Sequence, residues 1–301
     1  MKVLITGASG MLGSYVVARF KDIAEITSLG RGTGNKVVCD LSREVPFFSD
    51  IRFDTVIHCA GTEDDNGATA LNLDGTKRLA QALSLKPPEN FVFISSHKVY
   101  SEDAGENINE DANLWVSSEA GRTKTMAEEF LRDWAERHDV TLTIIRPAIM
   151  FGNGVKGEML RLFNDAVSGN YIHIRGNDAR LSIVTALDVA RGIRALYDHG
   201  GVYNAADGVN PRLIELAEAM SANAGAKKRM THLPASWAEW IWRLGRFIPS
   251  IDRNLNPGVV EKRLKTFTLD GSKFSEKAGL SYFNTIDVIE RTCTDYPYEN
   301  T

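Results

Sequence analysis

Three glycines at regular spacing carry the first recognisable chemistry. Gly7-Ala8-Ser9-Gly10-Met11-Leu12-Gly13 follows an apolar strand pattern, Val3–Thr6, and leads into a helical pattern that runs to Phe20. At such a junction Gly7 can make the tight turn, Gly10 admits a pyrophosphate close to the backbone, and Gly13 lets the helix lie on the sheet. The helix N-terminus then offers unpaired N–H groups and a positive dipole end to phosphate oxygens. The same glycines would also serve a plain strand-to-helix turn; their place directly between strand and helix favours a dinucleotide cradle. A second signal lies at the end of the next strand. An acidic residue there accepts hydrogen bonds from the adenosine ribose of NAD, but this chain reads Leu29-Gly30-Arg31. A guanidinium in place of a carboxylate removes repulsion of a 2′-phosphate and can bind it through paired charge-assisted bonds. NADP(H) is therefore expected over NAD(H), the alternative being that Arg31 is a solvated loop cation and selectivity is loose.

The elements that must position these residues follow a simple rhythm. Short apolar runs at Val3–Thr6, Glu25–Leu29, Lys36–Val38, Thr55–Cys59, Phe91–Ser95 and Thr141–Arg146 alternate with helical periods such as Ala68–Leu83 and Lys124–His138. Alternating strands and helices of this length predict an α/β fold, a doubly wound parallel sheet with right-handed crossovers. After Gly152 the rhythm changes, with helical patterns at Glu158–Ser168 and Leu187–His199 and a mainly helical remainder from Pro211. The expected division is a dinucleotide-binding core of residues 1–151 plus 181–206 and a smaller, mainly helical substrate lobe of 152–180 plus 207–301.

Composition narrows the partners. With 43% hydrophobic and 25% charged residues among 301, the chain can bury a sizeable core. A formal net charge of −4 with both signs scattered leaves no basic stripe for nucleic acid and no polybasic membrane patch. A small-molecule substrate is expected, with a homodimer as a further possibility. The N-terminal apolar run is too short for a signal-peptide core and no stretch is long enough to span a bilayer, so a cytoplasmic location is expected. Cys39, Cys59 and Cys293 are widely spaced and read as free thiols, and no metal-ligand cluster is apparent.

Further landmarks occur in a fixed order: Asp40-Leu41, Cys59-Ala60-Gly61, Asn72 with Gly75-Thr76, Ser95-Ser96-His97-Lys98-Val99-Tyr100, Arg146 through Gly152, Arg180 through Asp188-Val189-Ala190, and Val202-Tyr203-Asn204. Together with the glycine spacing they make the chain resemble the extended short-chain dehydrogenase/reductases of the NAD-dependent epimerase/dehydratase type, oxidoreductases and isomerases with a Rossmann-like core. The resemblance implies a cofactor site made by Gly7, Ser9, Gly10, Met11 and Leu12, with Asp40 and Leu41 on the adenine side. It adds Cys59, Ala60, Gly61 and Asn72 at the fourth strand, and Pro147, Ala148 and Ile149 at the sixth-strand exit.

In that family a serine, a tyrosine and a lysine four residues after the tyrosine move a proton while hydride passes to or from nicotinamide. A free phenol has a pKa of about 10, and the lysine one helical turn away brings it towards neutrality. Here the segment Ser117-Ser118-Glu119-Ala120-Gly121-Arg122-Thr123-Lys124 supplies Lys124, Ser96 matches the serine, and the tyrosine position holds Ala120. Loss of a positioned acid/base typically costs about 10²–10⁴ in rate. Glu119, His97 or a water in the space left by the ring are the candidates to replace it, while Lys124 keeps a role at the nicotinamide ribose. A tyrosine restored at 120 is expected to raise activity.

For substrate contacts the candidates are Ser96, His97 and Arg180, the last able to hold a diphosphate or to form a structural ion pair. The family's dehydratases carry acidic residues where this chain has His97 and Lys98, so dehydration is disfavoured. Ile149 stands where many nucleotide-sugar members carry asparagine. Trp237, Trp240, Ile241, Trp242 and Leu244 suit either the core of the small lobe or a hydrophobic pocket wall. The expected activity is carbonyl reduction or nucleotide-sugar epimerisation with an impaired or altered proton relay. The alternatives are a catalytically silent cofactor-binding or sensing protein, or a Tyr-to-Ala form of an active enzyme.

Overall fold

Alternate residues of the central strands point into two different cores, which makes the sheet doubly covered. In a computed structural model that describes residues 1–48, 51–100, 105–114, 116, 118–155, 157–224, 230–234, 265–282 and 284–291, seven strands form one parallel sheet. They are β1 (Lys2–Thr6), β2 (Glu25–Gly30), β3 (Val37–Val38), β4 (Thr55–His58), β5 (Asn90–Ile94), β6 (Thr141–Pro147) and, returning late in the chain, β10 (Gly201–Ala205). Their spatial order is β3-β2-β1-β4-β5-β6-β10, and every pairing is parallel. The winding direction reverses between β1 and β4, where Thr6 pairs with His58. Open α/β sheets bind ligands outside the strand carboxyl ends at such a point.

Val3 and Ile5 of β1, Val92 and Ile94 of β5, and Ile145 of β6 enter one apolar cluster with α1 (Met11–Phe20). Leu4, Phe91, Phe93 and Ile144 enter the other, with α3 (Asp74–Leu83) and α4 (Glu119–His138). α1 packs beside α6 (Ala186–Leu196), and α3 beside α4. The helix expected at Ala68–Leu83 starts earlier: α2 (Asp65–Ala68) runs through a π-helical turn, Thr69–Leu73, into α3. α4 also starts earlier than its apolar period, because the Ser118 side chain accepts from the Gly121 N–H at 3.1 Å and caps the helix there. Ala120 and Lys124 thus stand on its first two turns.

A third cluster joins α5 (Gly157–Ser168), α7 (Leu213–Asn223) and α9 (Thr285–Arg291), through Leu162, Ala166, Leu216, Met220 and Ile289. Beside them lie two pairs of three-residue strands that the apolar pattern did not announce, β7 (Ile149–Phe151) with β9 (Ile183–Thr185) and β8 (Ile172–Ile174) with β11 (Thr231–Leu233). A further helix, α8 (Ser272–Ala278), buries Phe274 in the first cluster. The tryptophan-rich segment and Cys293 lie outside the described residues. Among the described residues no helix is long and apolar enough to cross a membrane.

Candidate active site

The glycine turn has the geometry that a phosphate cradle needs. Gly7 adopts φ +66°, and a Cβ there would come within 2.8 Å of the Ala60 nitrogen. A methyl on Gly13 would overlap the Gly7 carbonyl, so helix α1 can approach the turn this closely only with glycine there. Gly10 is the N-cap, without a side-chain cap and without an acidic residue in the first turn. The N–H groups of Met11, Leu12 and Gly13 therefore have no intrahelical acceptor and sit at the positive end of the helix dipole. Ser9 and Gly10 are exposed, Met11 half-buried and Leu12 buried. Uncapped N–H groups at a helix start with no carboxylate nearby suit an anionic group.

A buried hydrogen-bond chain fixes this turn against the end of β4. The Ala60 N–H donates to Thr6 Oγ1 at 3.1 Å, and that hydroxyl donates to His58 Nδ1 at 2.6 Å. On the other side of the ring Nε2 lies 3.0 Å from Thr76 Oγ1, which in turn donates to the Asn72 carbonyl at 2.6 Å. This order of donors puts the His58 proton on Nε2. Burial, with the Lys124 charge nearby, pushes His58 down to about 3, so the ring stays neutral. Asn72, in the π turn, clamps the loop after β4: its Oδ1 accepts from the Thr62 N–H at 2.8 Å, and its amide nitrogen donates to the Thr62 carbonyl at 2.9 Å and to Thr123 Oγ1 at 3.3 Å. Cys59 next to it is inert, its thiol raised by burial to about 12.

Arg31 is exposed just past β2. Asp40 Oδ1 accepts from the Ser42 N–H and hydroxyl at 3.0 and 2.7 Å. These bonds, with Arg31 and Arg43 close by, hold its carboxyl below the usual range. Two guanidinium groups thus share one exposed corner, and Arg43 is the member that motif reading passed over. Leu41 is buried in the core, its carbonyl taking a hydrogen bond from Arg78.

At the other end of the crevice Lys124 is 7% exposed and donates to the Ile94 carbonyl at 2.6 Å, its Nζ lying 4.7 Å from the centre of the Phe93 ring. A Cβ built on Gly61 would lie 2.8 Å from that Nζ, so the ammonium sits directly under an exposed glycine at the crevice edge. Burial lowers Lys124 to about 8, although Cys59, Glu128 and Glu63 oppose the shift. Ser96, at the end of β5, accepts from the Lys98 N–H at 3.2 Å and opens the 3₁₀ turn His97–Val99. His97 Nδ1 lies 3.2 Å from the Pro147 carbonyl at the exit of β6.

Ala120 is 3% exposed and its N–H donates to Asp65 Oδ1 at 2.9 Å. Its methyl is covered by protein. Glu119 is committed as well: Arg122 grips it with two bonds of 2.8 and 2.5 Å, Thr69 adds one of 2.6 Å, and these partners take it down to about 2. One acidic residue not foreseen from the sequence is Glu63, on the loop after β4. Its Oε2 pairs with Lys98 Nζ at 3.2 Å. The protein around Glu63 raises its pKa, but Lys98, His97 and Lys124 outweigh that and leave it lowered, through the partial screening of a side chain still 62% exposed.

Several landmark residues prove to be framework. Ser95 donates to Glu128 at 2.5 Å, Arg146 grips both Glu128 oxygens at 3.0 and 2.6 Å, and Arg146 also donates to the Tyr100 hydroxyl at 2.8 Å. Tyr100 in turn donates to Asn204 Oδ1 at 2.8 Å. The chain ties β5, α4, β6 and β10 together below the crevice. Pro147 and Ala148 are buried and Ile149 half-buried at the β6 exit. Arg180 donates to the Asn210 carbonyl at 3.0 Å and lies within electrostatic reach of the Glu215 carboxylate. Among the described residues no group of three or more histidine, cysteine or acidic side chains is arranged to hold a metal ion, and Cys39 and Cys59 are free thiols.

This layout of glycine cradle, switch point and paired serine and lysine agrees with an independent comparison. The model of the NAD dependent epimerase/dehydratase family matches residues 3–206. The chain belongs to that family. Among its epimerase/dehydratase relatives is the N-acetyl-α-D-glucosaminyl-diphospho-ditrans,octacis-undecaprenol 4-epimerase of Escherichia coli O157:H7, 25% identical over 257 residues that span 77% of this chain and 75% of the relative. The UDP-glucose 4-epimerase of Vibrio cholerae is 30% identical over 180 residues, 53% of this chain and 55% of that protein. In three dimensions the UDP-glucose 4-epimerase of Thermus thermophilus, solved in complex with NAD, superposes with a TM-score of 0.74 at 19% identity, covering 97% of each chain. That likeness establishes the shared fold. Within this fold the glycine turn, Ser96 and Lys124 stand at the carboxyl-end side of the central strands, Arg31 lies just past β2, and Arg180 donates to the Asn210 carbonyl.

Proposed function

We propose that this protein is an NADP(H)-dependent epimerase or reductase acting on a hydroxyl or carbonyl carbon of a diphosphate-linked sugar, with a proton relay that does without the phenol. The observation that carries the reading is Lys124 beneath Gly61, on the strand-end side that also holds Ser96, with a covered alanine one turn before it. When bound, the nicotinamide cofactor supplies a hydride acceptor and donor. The chain's own groups do the rest. The N–H groups of Met11, Leu12 and Gly13 bind the diphosphate, and Arg31 with Arg43 meets a 2′-phosphate at the adenine corner. Lys124 exchanges its bond to the Ile94 carbonyl for ribose hydroxyls, and Ser96 orients the reacting oxygen of the substrate. Cofactor binding draws on none of the atoms a tyrosine would add, which also supports the second reading, a cofactor-binding protein without turnover.

The test is an incubation of purified protein and NADP(H) with UDP-sugars and with a polyprenyl-diphosphate sugar. Proton NMR reads inversion of configuration and nicotinamide absorbance reads net reduction. Epimerisation appears as inversion without net cofactor consumption, whereas reduction of a keto-sugar consumes NADPH mole for mole. Binding of NADPH with neither outcome would favour the silent reading.

A further inference from the structure

Lys124 leaves a helix whose first turn is tied to elements far away in the chain. Three polar links join that turn to α2 and the π turn after it. The Ala120 N–H donates to Asp65 Oδ1 at 2.9 Å, Thr69 Oγ1 donates to Glu119 Oε1 at 2.6 Å, and the Asn72 amide donates to Thr123 Oγ1 at 3.3 Å. Gly121, in the same turn, is wedged against a second element, since a methyl there would overlap the Lys98 carbonyl of the turn after β5. Lys98 closes the circuit, its Nζ pairing at 3.2 Å with Glu63 on the loop that leads into α2. That loop also passes over the lysine, because a Cβ on Gly61 would come within 2.8 Å of Lys124 Nζ. The β4 loop, α2, the start of α4 and the β5 turn thus make a closed collar around the base of Lys124.

We propose that Asp65 is a positioning residue for Lys124, acting as a cap on α4 supplied from another element; the role assigned to it in cofactor binding rests on the reading of Lys124 as the lysine that meets the ribose. A helix leaves its first N–H groups without intrahelical acceptors. In α4 the Ser118 hydroxyl takes that of Gly121 at 3.1 Å, and Asp65 takes that of Ala120. A carboxylate at this place also suits the positive end of the helix dipole. Because the cap comes from α2, it sets the spacing between α4 and the loop that covers Nζ, which a cap from the helix itself would leave free. Asp64 gives α2 a fixed start, its Oδ1 accepting from the Asn66 N–H at 3.1 Å. Around the ammonium stand the Ile94 carbonyl and Phe93 ring of β5, Cys59 after β4, Glu63 on the loop and Glu128 on α4. Burial among them is what lowers Lys124 to about 8. A loosened collar admits water and moves Lys124 back towards 10.5, whereas loss of the Asp65 negative charge by itself acts in the opposite direction. The sign of the change therefore separates positioning from simple electrostatics.

The test compares Asp65→Ala with Asp65→Asn, whose amide oxygen still accepts from the Ala120 N–H but carries no charge. Asp65 is exposed, so both variants should fold. NMR of isotope-labelled lysine follows the Lys124 titration in the cofactor-free protein, with Lys124→Met assigning the signal, and calorimetry measures NADPH affinity. Asp65→Ala should raise the Lys124 pKa by about 0.5 or more and weaken NADPH binding about threefold or more, while Asp65→Asn restores both to near wild type. Thr69→Val removes the second link and leaves the cap, and should move the Lys124 titration less than Asp65→Ala does. A Lys124 pKa unchanged or lowered in Asp65→Ala would overturn the proposal. So would an asparagine variant that behaves like the alanine one, or a Thr69→Val shift as large as that of Asp65→Ala. If the wild type binds no NADPH the proposed function falls, and the Lys124 titration alone then decides the role of Asp65.

Discussion

Replacing Lys124 with methionine should make the protein more stable near neutrality and less so, relative to wild type, in alkali. The ammonium is almost fully buried and its pKa is lowered from 10.5 to about 8 chiefly by that burial. A group whose folded pKa lies below its unfolded value leaves the unfolded chain binding more protons between the two, so wild-type stability rises with pH across the window from about 8 to 10.5. At roughly 1.4 kcal/mol per unit, the charged lysine costs about 3 kcal/mol below the window. Methionine removes that cost but orphans the Ile94 carbonyl, for about 1–2 kcal/mol. The variant should therefore gain about 1–2 kcal/mol near pH 7 and fall behind the wild type near pH 10, a swing of about 2–3 kcal/mol. Urea unfolding of both cofactor-free proteins at the two pH values measures it, and the titrations of other lysines and tyrosines cancel in the comparison. Two stability curves separated by a constant offset would refute the burial argument. The same variant should bind NADPH more weakly, so the residue the site needs is the one the fold would sooner lose.

Arg31→Ala should weaken NADPH binding about tenfold, near 1.4 kcal/mol, and leave NADH binding almost unchanged in calorimetric titration; equal effects on both would remove the 2′-phosphate assignment. Gly13→Ala, by pushing a methyl against the Gly7 carbonyl, should lower the melting temperature through roughly 1–3 kcal/mol of overpacking and cost at least about tenfold in affinity for either cofactor. Glu128→Gln should destabilise by about 3–5 kcal/mol, since it strands the buried Arg146 charge. Burial raises the Glu128 carboxyl but Arg146, Ser95 and Arg132 prevail and lower it, so wild-type stability, complete above the unfolded value of 4.5, should decline as pH falls towards the folded one, an acid limb that the variant lacks. Ala120→Tyr places a ring where a methyl is already covered, and should cost about 1–3 kcal/mol with less than about a tenfold gain in rate in side-by-side assays on one substrate; a larger gain would show that the alanine is a simple lesion and that a tyrosine there reaches the substrate.

The cradle was legible because its requirements are steric: Gly7 and Gly13 approach backbone atoms that no side chain would tolerate, and the strand and helix on either side of them follow from apolar period. The parallel sheet was legible for the same reason, each central strand being buried on both faces. The first turn of α4 shows in no apolar stripe, since it begins at the Ser118 cap, and only the family spacing of positions 120 and 124 pointed to it; the π turn that aims Asn72 leaves no compositional trace. Strands of three residues, as in β8 with β11, are too short for any period to show. Glu63 stayed hidden in Glu63-Asp64-Asp65, an acidic run that reads as a solvated loop. Its position on the loop that leaves β4, at the point where the winding reverses, is the signal that would have drawn attention to it. Arg146 and Asn204 were matched as landmarks, but motif order says nothing of whether a residue faces a ligand or a core.

The buried chain from Ser95 through Glu128, Arg146 and Tyr100 to Asn204 separates framework from tool. It ends one residue short of Ser96 and one turn beyond Lys124, and none of its members is the group in doubt. A lineage can therefore exchange the side chains at 63, 97 and 98 without disturbing the joints of that chain. For an engineer those three positions form a small interchangeable panel on a chassis whose alignment is secured from underneath, so new chemistries can be sampled there before any compensating change in the core is needed.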